Sequence, residues 1–535
     1  MSSPLTVSLP ITKTWLGGKG TGSQLTDWSY GPNWDAIGVD DEKVPTSGDC
    51  VIIPSTAYNP VISGTNLEFY ANTLSVIGNG SLLVQSGNTL KVENKVTVAS
   101  TGTLTFNNNA SLLQESTDPN INSGDIEYVR TTLPIRQADY VYWSTPVKNQ
   151  TLAAVSPLTE SDKYFRFDGT GWVATANTTV MTVGKGYIIR GPEGTSNTVR
   201  TAYTATFKGT PNNGTITSEN YNSGKYYLIG NPYPSAIDAD KFISDLNNKG
   251  LLQGTLYFWT HNTPVTLGGY YRYNADDYAS YNLSGGTKTM KAAKTGNNAP
   301  GNIDTPPQGY IAAGQSFMAG FSLPGQIQFT NSMRIGGDKN GQFFKPGKTS
   351  KTTAIEKNRV WLNLTNEEGA FKQMLVGYIE GASNDYDRGY DGLSFDGNKY
   401  IDFYSIEGTR KFVIQGRGLP FVDTDLVTLG YKTTIAGDFT ISIDQVDGFF
   451  NTQAIYLEDK TTGKIQDLSK ANYTFTTAIG TFTDRFVLRY TNKTLGTGDF
   501  ENVENGLMVS VKDKVIKVTS ANEAIKELTI FDING

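Results

Sequence analysis

The stretch "LSVIGNGSLLVQSGNTLKVENKVTVASTGTLTFNNNASLL", residues 74 to 113, decides how the rest of the chain is read. Its apolar residues alternate with polar ones in short bursts: Leu74/Val76, Leu82/Val84, Leu90/Val92, Val96/Val98, Leu104/Phe106, and a last one at Leu112. The spacing between bursts runs 8, 8, 6, 8, 8, so three strands make a unit of 22 residues. The unit repeats: Leu74 maps onto Val96, Leu82 onto Leu104 and Leu90 onto Leu112, while the turn "GNG" at 78 to 80 maps onto "STG" at 100 to 102. Period-2 strands inside a fixed period of this length predict a β-solenoid, whose coils stack to bury a core that none could bury alone.

One period back from this stretch lies Ile52 with Pro60-Val61, and one period forward lies Ile126, which gives three to four coils between 50 and 128. The open edge of such a stack needs a cover, because unpaired strands recruit other chains. Trp15, Trp28 and Trp34, in "TWLGGKG…TDWSYGPNWD", supply bulk for an aromatic cap. The functional alternative for the same tryptophans is a platform on which carbohydrate stacks.

The composition agrees with an all-β chain. Among 535 residues, 57 are Gly, 29 Tyr and 25 Phe, and only 18% are charged. That is length enough for three or more domains with cores of their own. The net charge of -6 leaves no basic footprint for nucleic acid. Cys50 is the only cysteine, so an intrachain disulfide and a thiolate zinc site are both excluded, and a strand position makes it a small buried hydrophobe. The start "MSSPLTVSLP" has neither a basic n-region nor an apolar h-region, and no run approaches a membrane span.

Residues 129 to 344 read as a β-sandwich-like module with strands at "YVYWS" (140–144), "GYIIR" (186–190), "YYLIG" (226–230), "TLYFW" (255–259) and "SFMAGF" (316–321). One short helix is expected in "PSAIDADKFISDL", with Ser235 or Asp238 as N-cap and Ile237, Phe242 and Leu246 on its inner face. A long Gly/Asn/Tyr-rich loop follows between 262 and 308. Its Tyr270, Tyr271, Tyr273, Tyr278 and Tyr281 are candidate ligand-binding residues, stacking on sugars or a peptide.

The Lys-rich stretch 345 to 359 reads as a linker. Residues 360 to 492 read as a two-sheet antiparallel sandwich, from the alternation at Val360/Leu362/Leu364, Phe439/Ile441/Ile443 and Phe486/Leu488/Tyr490. Inside it, "SNDYDRGYDGLSFDG" brings Asp385, Asp387, Asp391 and Asp396 close together with glycines to bend the chain. These are candidate calcium ligands, since Ca2+ takes hard oxygen donors on a tight loop. The spacing is not that of an EF-hand, and the competing reading is that the aspartates hold turn backbone.

Catalytic signatures are absent. His261 is the only histidine, in "WTHNTP", and no G-x-S-x-G, H-E-x-x-H or P-loop pattern occurs. Cys50 and His261 belong to different modules, so a dyad between them is not expected, and the chain is read as no enzyme. A carboxylate pair of the glycosidase kind needs only spatial proximity, so a glycan hydrolase stays as a lesser alternative.

The last residues, "KELTIFDING" at 526 to 535, alternate like a half-buried strand running into an Asn-Gly turn. No partner strand follows, so the end reads as a cut inside a fold, with a signal peptide or preceding domains expected to be missing as well.

Nearly the whole chain resembles the large surface proteins that Bacteroidetes export by the type IX secretion system. The resemblance is carried by "TWLGG…DW…NWD…VPTSGDCVIIP…PVISG", "GNPYPSAIDADKF" with "GTLYFW", "NSMR", "QMLVGYIEGASNDYDRGYDG" and "YLEDKTTGKIQDLSKANYTFTTAIGTFTDRFVLRY". "GLMVSVKDKVIKVTSANEAIKELTIFDING" is similar to the first strands of their small β-sandwich C-terminal sorting domain, most like sorting signal type C. The resemblance implies a linker at 493 to 504, a truncated sorting domain at 505 to 535, and recognition through Leu528, Ile530, Phe531, Asp532 and Gly535. It implies as partners the secretion translocon and its outer-membrane shuttle protein, and an extracellular or cell-surface location. The function expected is that of an adhesin-like or structural surface protein, with surface-polysaccharide binding as the runner-up.

Overall fold

Each apolar burst of the repeat lies inside a three-sided parallel coil, and the coils stack in the register that the spacing predicts. In the computed structural model, which describes residues 10–35, 39–262, 273, 275–289, 306–342, 355–492, 507–512, 515–520 and 524–529, Thr73–Val76 lies on Val96–Val98, Ser81–Val84 on Thr103–Phe106 and Thr89–Val92 on Ser111–Gln114, all parallel. Leu74 faces Val96, Leu82 faces Leu104 and Leu90 faces Leu112, and all six are fully buried. Full burial of such a side chain is worth roughly 1.5–3 kcal/mol, and stacking also pairs backbone groups that a lone coil would leave open. The first coil departs by one position. Val51, not Ile52, pairs with Leu74, and Ile52 turns outward beside Ser75. The cause is the longer turn after Cys50–Ile53, which carries Pro54 and Pro60.

Both ends of the stack are closed. At the front, Thr12–Trp15 pairs in parallel with Cys50–Ile53 and antiparallel with Trp34–Asp35. Trp15, Trp28 and Trp34 are buried, with Trp34 edge-on to Trp15 at 5.0 Å and to Trp28 at 4.8 Å. The indole of Trp15 donates to the Tyr58 carbonyl (2.7 Å) and that of Trp34 to the Trp28 carbonyl (2.8 Å). These rings form the expected cap; burial denies them the alternative role of a carbohydrate platform. Cys50 is half-buried on the outward side of its strand, less enclosed than expected.

At the back, Ile126–Ile135 pairs in parallel with Thr103–Phe106 and antiparallel with Thr201–Gly209. The third face is closed by two segments that pair with one another, Ala236–Asp238 and Arg334–Ile335. Leu112 donates its N–H to the Pro234 carbonyl (2.8 Å), and its own carbonyl accepts from the Arg334 guanidinium (2.5 Å). The "GNPYPS" and "NSMR" segments thus meet as a plug on the last coil. Residue 128 falls inside Ile126–Ile135, and one buried cluster runs from Trp15 through this strand to Trp143, Phe207 and Ala313.

The region after the solenoid contains two main sheets. One joins Tyr140–Trp143, Tyr187–Arg190, Tyr164–Phe167 and Trp172–Ala174; the other joins Tyr226–Gly230, Ser316–Phe321, Leu252–Trp259, Tyr278–Asn282 and Gly285–Thr287. The expected helix is Ala239–Ser244, capped by the Asp238 carboxylate, which accepts from Asp240 N and Lys241 N. It is shorter than the pattern suggests: Ile237 lies in a strand before it, and Leu246 is 80% exposed beyond it.

From Lys357 to Arg489 the strands form one hydrogen-bonded sheet instead of two separate ones. Its single parallel step is Phe371–Ile379 against Arg410–Arg417. The two ends of the sheet meet over one core, where the Tyr473 hydroxyl donates to Asp459 (2.8 Å) and Tyr431 and Thr477 share a hydrogen bond (2.9 Å). The sheet therefore folds over itself, and its inward residues face each other as in a sandwich. Lys357, Asn358 and Arg359 belong to the first strand, not to a linker, and 345 to 354 of the expected linker lie outside the described residues. This region is docked on the preceding one: Trp361 donates to the Gly286 carbonyl (2.7 Å) and Leu283 N to the Gly389 carbonyl (2.7 Å). Gly254 permits the approach, since at φ +91° a Cβ there would lie 2.1 Å from Gly389 N.

Residues 491 to 535 form a second unit. Within it Leu507–Lys512 and Val515–Ser520 make an antiparallel hairpin. Residues 524 to 529 carry no strand, and Leu528 is 53% exposed. Alternation had suggested a half-buried strand here; a strand needs a neighbour for its N–H and C=O groups, and none of the described residues provides one. Ile530, Phe531, Asp532 and Gly535 lie outside the described residues.

Candidate functional site

Strand alternation sends Val141 and Trp143 into the main core and Tyr140 and Tyr142 to the opposite face. The same rule divides Leu252–Trp259, with Leu256 and Phe258 inward and Tyr257 and Trp259 outward. The outer faces of the two sheets consequently carry an aromatic layer, built on Tyr142, Ile188, Tyr257 and Trp259. Among the described residues no strand covers all of it. A groove of about 360 Å³ remains, lined by Tyr140, Tyr142, Phe165, Trp172, Ile188 and Trp259 and closed at one side by Tyr273, Ala275 and Tyr278.

The rings are held firmly. Tyr142 stacks on Trp259 with centroids 5.5 Å apart and planes 3° from parallel. Trp172 stands edge-on to Tyr142 at 5.9 Å, and Tyr273 edge-on to Tyr140 at 5.2 Å. The Tyr142 and Tyr278 hydroxyls share a hydrogen bond (2.6 Å), and Tyr273 donates to the Ala138 carbonyl (2.7 Å). Trp172 and Tyr273 keep 40% and 41% of their surface exposed. Burial pushes the Tyr140 phenol up to about 12, and raises those of Tyr142 and Tyr278 further, so these groups stay protonated and uncharged at neutral pH. Among the described residues none that lines the groove is Arg, Lys, His, Asp or Glu.

His261 supports this wall from behind. Its Nε2 lies 2.7 Å from the Tyr140 carbonyl, which can only accept, so the neutral ring carries its proton on Nε2. Burial lowers its pKa below the usual 6.5. The unfolded chain takes up a proton near that usual value while the fold resists, so this group's contribution to stability is present above about pH 6.5 and is lost as pH falls through it. The loss stops once the folded-state pKa is passed. As the sole histidine, its NMR titration is read without overlap: the expected midpoint lies below 6.5 in the folded protein. His261→Gln, which keeps a donor, is expected to flatten this part of the stability profile, and a folded midpoint at or above 6.5 would contradict the assignment.

Of the five candidate tyrosines, the structure brings Tyr273 and Tyr278 to the groove. Tyr281 is a correction: three positions along the same strand from Tyr278, it points to the other face, where it is buried and donates to Asp240 Oδ1 (2.7 Å). Tyr270 and Tyr271 lie outside the described residues. Tyr140, Tyr142, Phe165, Trp172 and Trp259 were missed as site residues, although "YVYWS" and "TLYFW" held the signal. Apolar side chains at both parities of a strand require both faces to meet something.

The four aspartates do not converge on a metal. Asp391 is buried, accepts from Asp387 N (2.7 Å) and Gly416 N (2.9 Å), and is pushed up to about 7 by burial. Asp387 accepts from Ser383 N, Asp396 pairs with Lys432 (2.7 Å), and Asp385 receives a serine hydroxyl at its own carbonyl. Among the described residues no group of three or more His, Cys, Asp or Glu is placed to hold a metal ion. The turn backbone and a lysine occupy three of the four carboxylates that the calcium reading required, those of Asp387, Asp391 and Asp396. A second cleft of about 220 Å³, near Tyr281, Lys357, Arg359 and Trp361, has Asp447 as its one lining carboxylate, held by Arg359 at 2.9 Å.

Residues 495–535 match a family described as Domain of unknown function (DUF8694). No curated protein and no solved structure matches the chain. Residues 19–490, the solenoid and both modules behind it, match the family described as Domain of unknown function (DUF8693), and the chain belongs to that family.

Proposed function

We propose that this chain is a secreted, cell-surface adhesin-like or structural protein, exported by the type IX secretion system and recognised through its C-terminal unit. The observation that carries binding over turnover is the aromatic groove: it offers contact surface on an all-β scaffold, and its lining among the described residues holds no group that titrates near neutral pH. Export rests on the resemblance of residues 505 to 535 to a sorting domain. In its favour, these residues belong to a unit distinct from 1 to 490, as a signal read apart from its cargo would.

The test is surface exposure in the native host. With a tag on the full-length protein, protease added to intact cells is expected to remove the tag in wild type and to leave it in a strain lacking the secretion pore. Protection in both strains would overturn the proposal.

A further inference from the structure

We infer that the groove at Tyr142, Trp172, Trp259 and Tyr273 binds an uncharged polysaccharide chain. This deepens the binding function proposed above and rests on it. Three observations lead to the ligand class.

The first is the kind of apolar surface. Seven of the nine lining residues are aromatic and only Ile188 and Ala275 are aliphatic, whereas an alkyl chain or lipid tail needs an enclosed aliphatic slot. Flat rings with a polar edge suit a ligand of the same character. A sugar ring presents C–H groups on its faces and hydroxyls around its rim, so it can lie on an indole or phenol while its rim stays wet.

Charge is the second. Among the described residues the lining carries no Arg, Lys, Asp or Glu, and burial holds the Tyr140, Tyr142 and Tyr278 phenols protonated. An anionic glycan, a nucleotide or a peptide terminus would give up water against these rings without a cation among the described lining residues to pair with it. A neutral ligand meets no such cost.

The third is openness. Trp172 and Tyr273, 40% and 41% exposed, stand at the rim and each contacts a different ring of the floor, Tyr142 and Tyr140. Those two floor residues lie two apart on one strand and face the same way. Exposed rings at both positions give successive platforms along a chain, not one closed pocket for a single sugar.

The experiment is affinity gel electrophoresis of the purified full chain, with indole fluorescence as a second readout. The probes are hydroxyethylcellulose, xyloglucan, mannan and dextran, set against alginate and hyaluronan. At least one neutral polymer is expected to retard the protein and shift its fluorescence. Trp172→Ala and Tyr273→Ala are each expected to weaken that binding about tenfold while the protein stays folded with only a small drop in melting temperature, and Trp172→Phe to retain more of it than Trp172→Leu. Retardation by none of the panel, by the charged polymers alone, or equally in wild type and the double variant would overturn the inference. The two proposals fail separately: a surface-exposed protein that ignores neutral glycans removes this one, and a glycan-binding protein retained inside the cell removes the other.

Discussion

Arg334→Ala is expected to cost about 3–5 kcal/mol of stability, although the side chain does not line the groove. Arg334 is fully enclosed at its charged end and burial lowers its pKa to about 10, so it is still a cation at neutral pH. It donates to the Leu112 carbonyl (2.5 Å), to Asn213 Oδ1 (2.9 Å) and to Asn331 Oδ1 (3.2 Å), and lies over the Tyr233 ring at 4.8 Å. Removing it strands the Leu112 carbonyl in a dry site, leaves Asn213 Oδ1 and Asn331 Oδ1 with one donor each, from Asn331 Nδ2 and Gly214 N, and unseals the edge of the last coil. Lysine is no substitute, because one ammonium cannot reproduce the planar fork that reaches these three acceptors, the Ser235 hydroxyl (3.3 Å) and a ring. Urea unfolding of the variant, with hydrogen exchange at Leu112 N–H, tests both parts. A loss below about 1 kcal/mol, or unchanged protection at Leu112, would show that the plug does not hold the edge.

The second large effect is expected at the other end of the stack. Trp34→Ala removes the ring that both Trp15 and Trp28 meet edge-on, and substitutions of this size in a core cost about 3–5 kcal/mol. Without that ring the strand Thr12–Trp15 loses its support while it still covers Cys50–Ile53. The change is expected to lower the unfolding midpoint and to loosen the first coil most, read as faster exchange along 50 to 53. Trp172→Ala serves as the control: it takes away a ring of the same size from a half-open site, and its stability should change by well under half as much. Equal losses at Trp34 and Trp172 would refute the distinction between cap and groove.

The solenoid was legible because its signal is repeated. An error at one strand is corrected by the next coil, and the only slip, Ile52 for Val51, sits where a proline-bearing turn lengthens the unit. The aromatic groove was half legible. Tyr273 and Tyr278 stood out in a tyrosine-rich loop, but the floor comes from strands around 142, 165, 188 and 259, whose neighbourhood is set by sheet order and not by spacing. Tyr281 misled because a loop has no faces, whereas a strand assigns residues 278 and 281 to opposite ones. The aspartate loop misled for a different reason. Carboxylates that satisfy backbone N–H groups and carboxylates that bind calcium share one composition, and only their hydrogen bonds tell them apart. In the sandwich region the alternation located the strands, yet it held no information on the parallel step that joins the two layers.

The parallel register of the coils makes the height of the solenoid a whole-number property. Residues 73 to 94 form one complete turn of the stack, with inward and outward positions that superimpose on those of the next turn. A tandem copy of that segment would raise the stack by one strand spacing, about 4.8 Å, and leave the tryptophan lid and the arginine plug each facing the same surface as before. Gene duplication can therefore lengthen or shorten this part of the molecule in fixed steps, so relatives are expected to differ in coil number while both closures persist.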